Sequence, residues 1–158
     1  MGLYLHAPRG VETQRLADLC NWTGYYLKFR GEYTAARPYY ERALAINEKS
    51  LGPDHPDTAT SLNNLGGLLR AMGDLAAARP YYERALAIRE KSLGPDHPDT
   101  ATSLNNLAWL NYYDGQIEEA VRQMRRVVDI LERIIPNHQN TITARDSLAY
   151  MESKLKGN

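Results

Sequence analysis

ARPYYERALAINEKSLGPDHPDTATSLNNL, residues 36–65, returns as ARPYYERALAIREKSLGPDHPDTATSLNNL at residues 78–107. The shift is 42 positions, and within the two stretches only Asn47 is exchanged, for Arg89. A long period with so little drift marks stacked copies of one supersecondary unit. Stacked units spread their core along an axis and expose an extended wall instead of one deep cleft, so no enzyme is expected.

Inside one copy the apolar spacing is helical. Leu62, Leu65, Gly66 and Leu69 fall at i, i+3, i+4 and i+7, which places them on one helix face. Gly73 beside Asp74 reads as a stop followed by a new start. A second amphipathic run then places Leu75, Ala78, Tyr82, Ala85, Leu86 and Ile88 inward, with Glu83, Arg84, Glu90 and Lys91 outward. The cluster Gly94-Pro95-Asp96-His97-Pro98-Asp99 breaks that run, and Pro98 and Asp99 suit the first turn of the next helix. Each unit is therefore helix, tight turn, helix, loop. Pro38 and Pro80 conflict locally with this pattern: either the second helix starts late, near Ala35 and Ala77, or it kinks there.

The positions Leu65, Gly66, Leu69, Gly73, Ala78, Tyr82 and Ala85 resemble the tetratricopeptide repeat signature. Thr23, Gly24, Leu27, Gly31, Ala36, Tyr40 and Ala43 carry it in the copy before. Leu107, Ala108, Asn111, Gly115, Ala120, Met124 and Val127 carry a more degenerate version in the copy after. The common family period is about 34 residues, so this longer one, together with the LGPDHPDT loop, resembles the kinesin light chain type. The resemblance covers roughly residues 16–151 and implies an all-α fold: a right-handed α-solenoid of antiparallel helical hairpins with a C-terminal capping helix. Residues 1–158 are read as a single domain, with a leader or partial cap over 1–15, repeats over 16–50, 58–92 and 100–135, and a terminal helix over 141–156. The loop before that helix, Ile135 to Thr141, is one residue short of the period. Leu3-Tyr4-Leu5 is apolar and reads either as a fold-back cap or as the remnant of an upstream unit.

Bulk properties narrow the partners. Lys plus Arg and Asp plus Glu are equal at 19 each, so no basic stripe points to nucleic acid or to an anionic membrane. No apolar run approaches the roughly 20 residues of a membrane span, and residues 1–10 lack the charged and apolar regions of a secretory signal. Cys20 has no cysteine partner, which suits a reducing, cytoplasmic setting. It shares a helix-face step with Leu62 and Leu104 and reads as core filler.

Asp54-His55 and Asp96-His97 invite a metal or catalytic reading. A zinc site needs three or four convergent ligands, whereas these pairs recur one period apart beside prolines. Helix capping and turn formation fit better, and neither cofactor nor metal is expected. Gly24, Gly66, Ala108, Ala43 and Ala85 mark close helix approach, with Tyr40, Tyr82 and Met124 as wedges. Asn47 and Arg89 are read as an outward pair whose exchange is neutral.

The resemblance also implies that the first helix of each hairpin lines a concave groove. By register, Asn21, Asn63 and Asn105, followed by Asp146, share one groove-facing step. Tyr25, Gly67, Trp109 and Tyr150 share the next, and Lys28, Arg70 and Tyr112 the one after. An Asn amide both donates and accepts, so a ladder of them suits the backbone of an extended peptide. Aromatic pockets and two cations suit apolar and acidic side chains. The expected function is a non-catalytic protein or peptide binder, within an adaptor or sensor. Self-association through the solenoid ends is the alternative.

Overall fold

The computed structural model describes residues 9–156. Its helices are α1 (Arg9–Phe29), α2 (Tyr33–Ser50), α3 (Pro56–Ala71), α4 (Leu75–Leu93), α5 (Pro98–Tyr113), α6 (Ile117–Ile134) and α7 (Gln139–Lys156), with no strand among the described residues. α1 pairs with α2, α3 with α4 and α5 with α6; α7 packs on α6, and α1, α3 and α5 lie side by side. This is the α-solenoid that the period demanded. Leu3-Tyr4-Leu5 lies outside the described residues.

Each hairpin closes on a glycine. The N–H of Gly73 donates to the Arg70 carbonyl and that of Asp74 to the Leu69 carbonyl, both at 3.0 Å. This paired bonding satisfies the orphan carbonyls of α3 and needs a left-handed residue at its centre; Gly73 has φ 84. Gly31 and Gly115 close α1 and α5 with the same bonds. α4 starts at Leu75, before Pro80, and runs through it, as α2 runs through Pro38. Neither helix starts late.

The joining loops end in histidine caps. His55 and His97 have extended backbones and accept, through Nδ1, the N–H of Asp57 and Asp99. Thr58 and Thr100 donate from their hydroxyls to the carbonyls of Gly52 and Gly94 at 2.8 Å. The shortened last loop keeps this device: His138 Nδ1 accepts from the Asn140 N–H, and Thr141 Oγ1 donates to the Ile135 carbonyl. The histidines are structural caps, and among the described residues no cluster could hold a metal ion.

The core alternates small and large. Tyr40, Tyr82 and Met124 are almost wholly buried. A Cβ on Gly24 or Gly66 would approach the ring of Tyr40 or Tyr82 to about 3 Å, so those glycines admit the rings. Where Ala108 stands instead, the facing wedge is the flexible Met124. Cys20 is buried among this filler. Burial pushes the Tyr40 hydroxyl up to about 12, because the phenolate would be charged in an apolar setting.

Asn47 corrects the outward reading. It is 1% exposed and donates to Ser61 Oγ at 3.0 Å and to the Asp57 carbonyl at 3.3 Å. Arg89, 6% exposed, donates to the Asp99 carbonyl, Ser103 Oγ and Thr60 Oγ1. The one exchange between the copies therefore sits inside a junction between repeats, where a polar group is stable only with partners.

Candidate functional site

Of the groove residues, Lys28, Arg70 and Tyr112 sit near the ends of α1, α3 and α5, where the glycine closures fix the backbone; Asn21, Asn63 and Asn105 lie further inside those helices, and Asp146 and Tyr150 on α7. Lys28 and Arg70 occupy the last turns of α1 and α3, the helix ends that favour cations. Gly67 lets Lys28 lie close, since a Cβ there would be 3.2 Å from Lys28 Nζ. Burial, then the neighbouring Arg70 charge, lowers the Lys28 pKa. Burial raises the Tyr82 hydroxyl pKa and the nearby Arg70 charge offsets part of that rise, while the Arg70 guanidinium lies over the Tyr113 ring, 5.8 Å from its centroid. Neither cation has a carboxylate partner among the described residues.

Beside them stands an aromatic cluster. Trp109 meets Tyr112 edge-on at 5.6 Å and stacks with Tyr113 at 5.8 Å and Tyr150 at 6.4 Å. Tyr112 donates its hydroxyl proton to Tyr150 at 3.0 Å, which pushes the Tyr112 pKa up. Lys154 covers the Tyr150 ring from 5.3 Å. Tyr113 and Tyr150 remain about half exposed. Edge-to-face and stacked rings hold one another in fixed geometry, so this is a preformed apolar surface beside two cations.

The structure brings together Trp109, Tyr112 and Tyr150, and separately Lys28 and Arg70. Tyr25 stands apart, edge-on to Trp22 at 6.1 Å. Asp146 is exposed. The asparagines behave differently from a ligand ladder. Asn63 is 8% exposed and donates to Ser103 Oγ at 2.9 Å. Asn21 donates to Ser61 Oγ at 3.4 Å and accepts from Asn64 at 3.1 Å. Their amides join one repeat to the next. Asn105 is half-buried and lines a cavity between α5, α6 and α7. Sequence reasoning missed Tyr113 and Lys154; Tyr113 follows Trp109 at i+4, a spacing that places two side chains together on a helix.

A family profile described as tetratricopeptide repeat matches residues 17–91 and 62–133. Nephrocystin-3 of Xenopus laevis is 43% identical over 53 residues, which is 34% of this chain and 4% of that protein. The chain thus matches only a small part of its curated relatives' length. A Podosopora anserina structure of nearly identical TPR-like repeats of kinesin light chain type superposes with a TM-score of 0.80 at 26% identity, covering 88% of this chain and 66% of that one. The first TPR of Spaghetti bound to an HSP90 peptide superposes with a TM-score of 0.64 at 15% identity, covering 98% and 99%; at that identity the likeness is one of fold.

Proposed function

This chain belongs to the tetratricopeptide repeat family, and we propose that it is a non-catalytic interaction module holding an extended, acid-bearing peptide of a protein partner. The observation that carries the reading is the Lys28–Arg70 pair, two partly buried like charges without a carboxylate beside a preformed aromatic cluster. A peptide carboxylate relieves their repulsion and gains charge-assisted hydrogen bonds, while Trp109, Tyr113 and Tyr150 take a neighbouring apolar side chain. That a protein of the same fold was solved with a peptide bound supports the general role. The location best suited to it is cytoplasmic, and among the described residues no helix is long and apolar enough to cross a membrane.

The contact set differs from a simple asparagine ladder. Asn63 is committed to Ser103, so backbone clamping falls to Asn105, with the specificity carried by Lys28, Arg70, Trp109, Tyr112 and Tyr150. A peptide array comparing acidic with amidated, acid-free sequences tests this. Acidic peptides should be retained, and Lys28→Ala with Arg70→Ala should weaken their binding about tenfold or more, as expected for hydrogen bonds to charged groups. Equal binding by the double variant, with an unchanged melt, rejects the groove.

A second reading rests on α1. Leu19, Trp22, Tyr26 and Phe29 form one stripe that is 57–80% exposed. The matching steps of α3 and α5 include the buried Leu68 and Leu110. An apolar stripe of this kind suits association with a second copy, and light scattering over a concentration series would show growth that Trp22→Ser and Phe29→Ser together abolish.

A further inference from the structure

We propose that the junction between the third repeat and α7 is a binding site for an arginine side chain supplied by a partner. The second and third junctions fill the same space differently. At the second junction Arg89 of α4 places its guanidinium among Thr60 of α3 and Asp99 and Ser103 of α5, and the Asp99 and Asp57 carboxylates attract it. One period on, the equivalent of Arg89 is Leu131. Leucine ends at Cδ, the atom from which arginine continues to its guanidinium. The space beyond is a cavity of about 360 Å³ whose walls include Asp99, Thr102, Asn105, Leu131, Asn140 and Ala144. Allowing for the one-residue shorter loop, these stand where Asp57, Thr60, Asn63, Arg89, Asp99 and Ser103 stand around the internal guanidinium.

The cavity therefore keeps most of the acceptors for a group that this chain no longer supplies. Thr102 Oγ1 and the Asn140 carbonyl replace Thr60 and the Asp99 carbonyl; Asp99 replaces Asp57 as the nearby carboxylate. Two groups are lost: the serine hydroxyl, at Ala144, and one of the two carboxylates, since Asn140 stands where Asp99 stood; Asp99 is the carboxylate that remains. The first-turn N–H groups of Asp99 and Asn140 are already taken by the His97 and His138 caps, so these backbone donors are not free to hold an anion; the amides and hydroxyls of the lining can accept, and the Asp99 carboxylate is the group that selects a cation. Arg145, the next side chain along α7, is held outside by Glu132 at 2.6 Å. Asp99, Thr102, Asn140 and Thr143 are exposed, leaving the mouth open to an incoming side chain. Val127, Ile135 and Leu131 supply an apolar sleeve for its stem, the usual way a guanidinium is carried into a pocket. The size lies at the small end of ligand cavities.

This inference shares Asn105 with the groove but does not rest on the groove reading, and the two fail separately. The test is a titration with capped arginine (N-acetyl-arginine methylamide), followed by amide chemical shifts. Saturable shifts are expected at Thr102, Asn105, Asn140 and Thr143, and should persist in the Lys28→Ala, Arg70→Ala chain. Capped citrulline, which keeps the shape without the charge, and capped lysine, which cannot fork, should each bind roughly tenfold more weakly. Leu131→Arg should fold, raise the melting temperature and abolish the shifts by filling the cavity from within. Absent shifts, equal binding of citrulline or lysine, or a Leu131→Arg chain that unfolds or still binds arginine overturns the proposal.

Discussion

Gly66 shows how one missing carbon sets a helix contact. In an isolated helix Gly66→Ala would gain about 1 kcal/mol of propensity. Here the new Cβ would meet the almost fully buried Tyr82 ring at 3.0 Å, and overpacking costs about 1–3 kcal/mol. The substitution should therefore destabilise the chain. In a Tyr82→Met background, which copies the Ala108–Met124 pairing, the same change should stabilise it; denaturant melts of the four chains check the reversal of sign. Lys28 gives a second residue-scale test. Its folded pKa lies below the unfolded value, so its charge disfavours folding at lower pH, and that penalty is relieved as pH rises from the lowered pKa to the unfolded one. A bound carboxylate restores the charge. Affinity for an acidic peptide should fall as pH rises through that lowered value, with proton uptake on binding seen by calorimetry, and Lys28→Arg should flatten the profile.

Among elements, the three joining loops perform one task with the same atoms: a histidine Nδ1 accepts the N–H of the second helical residue, and a threonine hydroxyl returns to the loop carbonyl. Removing an N-cap acceptor costs about 1 kcal/mol. His55→Ala, His97→Ala and His138→Ala should each lower stability by that order in urea melts, while leaving peptide binding unchanged. A loss of binding confined to one of them would assign that histidine a role beyond capping.

Across the whole molecule, solenoid stability is a sum of unit and junction terms, and the junctions here are unequal. The first is tied by Asn21 and Asn47 on Ser61, the second by Asn63 and Arg89 on Ser103. The third has Leu131 and Ala144 at the equivalent steps and a cavity between them. α7 should accordingly exchange its amide hydrogens before α3 or α5, and Leu131→Arg should slow it. The helices, their order, the caps and the glycine–tyrosine wedges were legible because each repeats with the period. The asparagines were misleading: register places Asn21 and Asn63 on one face but does not reveal that Ser61 and Ser103, 40 residues on, take their amides. Asn47 and Arg89 resembled a surface exchange because buried polar groups are recognisable only by their partners. Tyr113 escaped notice because it neighbours Tyr112, and two adjacent tyrosines at a helix end both reach one cluster.

The wedge and cap of the first two units are set by residues that recur unchanged, so the chain can lose one period without a scar at the join. Removing residues 36–77 joins Ala35 to Ala78, and the sequence across the join is the same as before. Tyr82 then enters the space beside Gly24, and Ser103 receives Asn21. Two novelties arise: Arg89 faces α1, where Asp18 occupies the step that Thr60 holds in α3, so an ion pair becomes available that the parent does not have; and Trp109 takes the step of Gly67 beside Lys28. The shortened chain should melt cooperatively with five helices, at a temperature lowered by the loss of one unit. Unit number in this fold is thus an adjustable length, although this shortening also removes Asn63 and Arg70 and so takes the paired cations out of the wall.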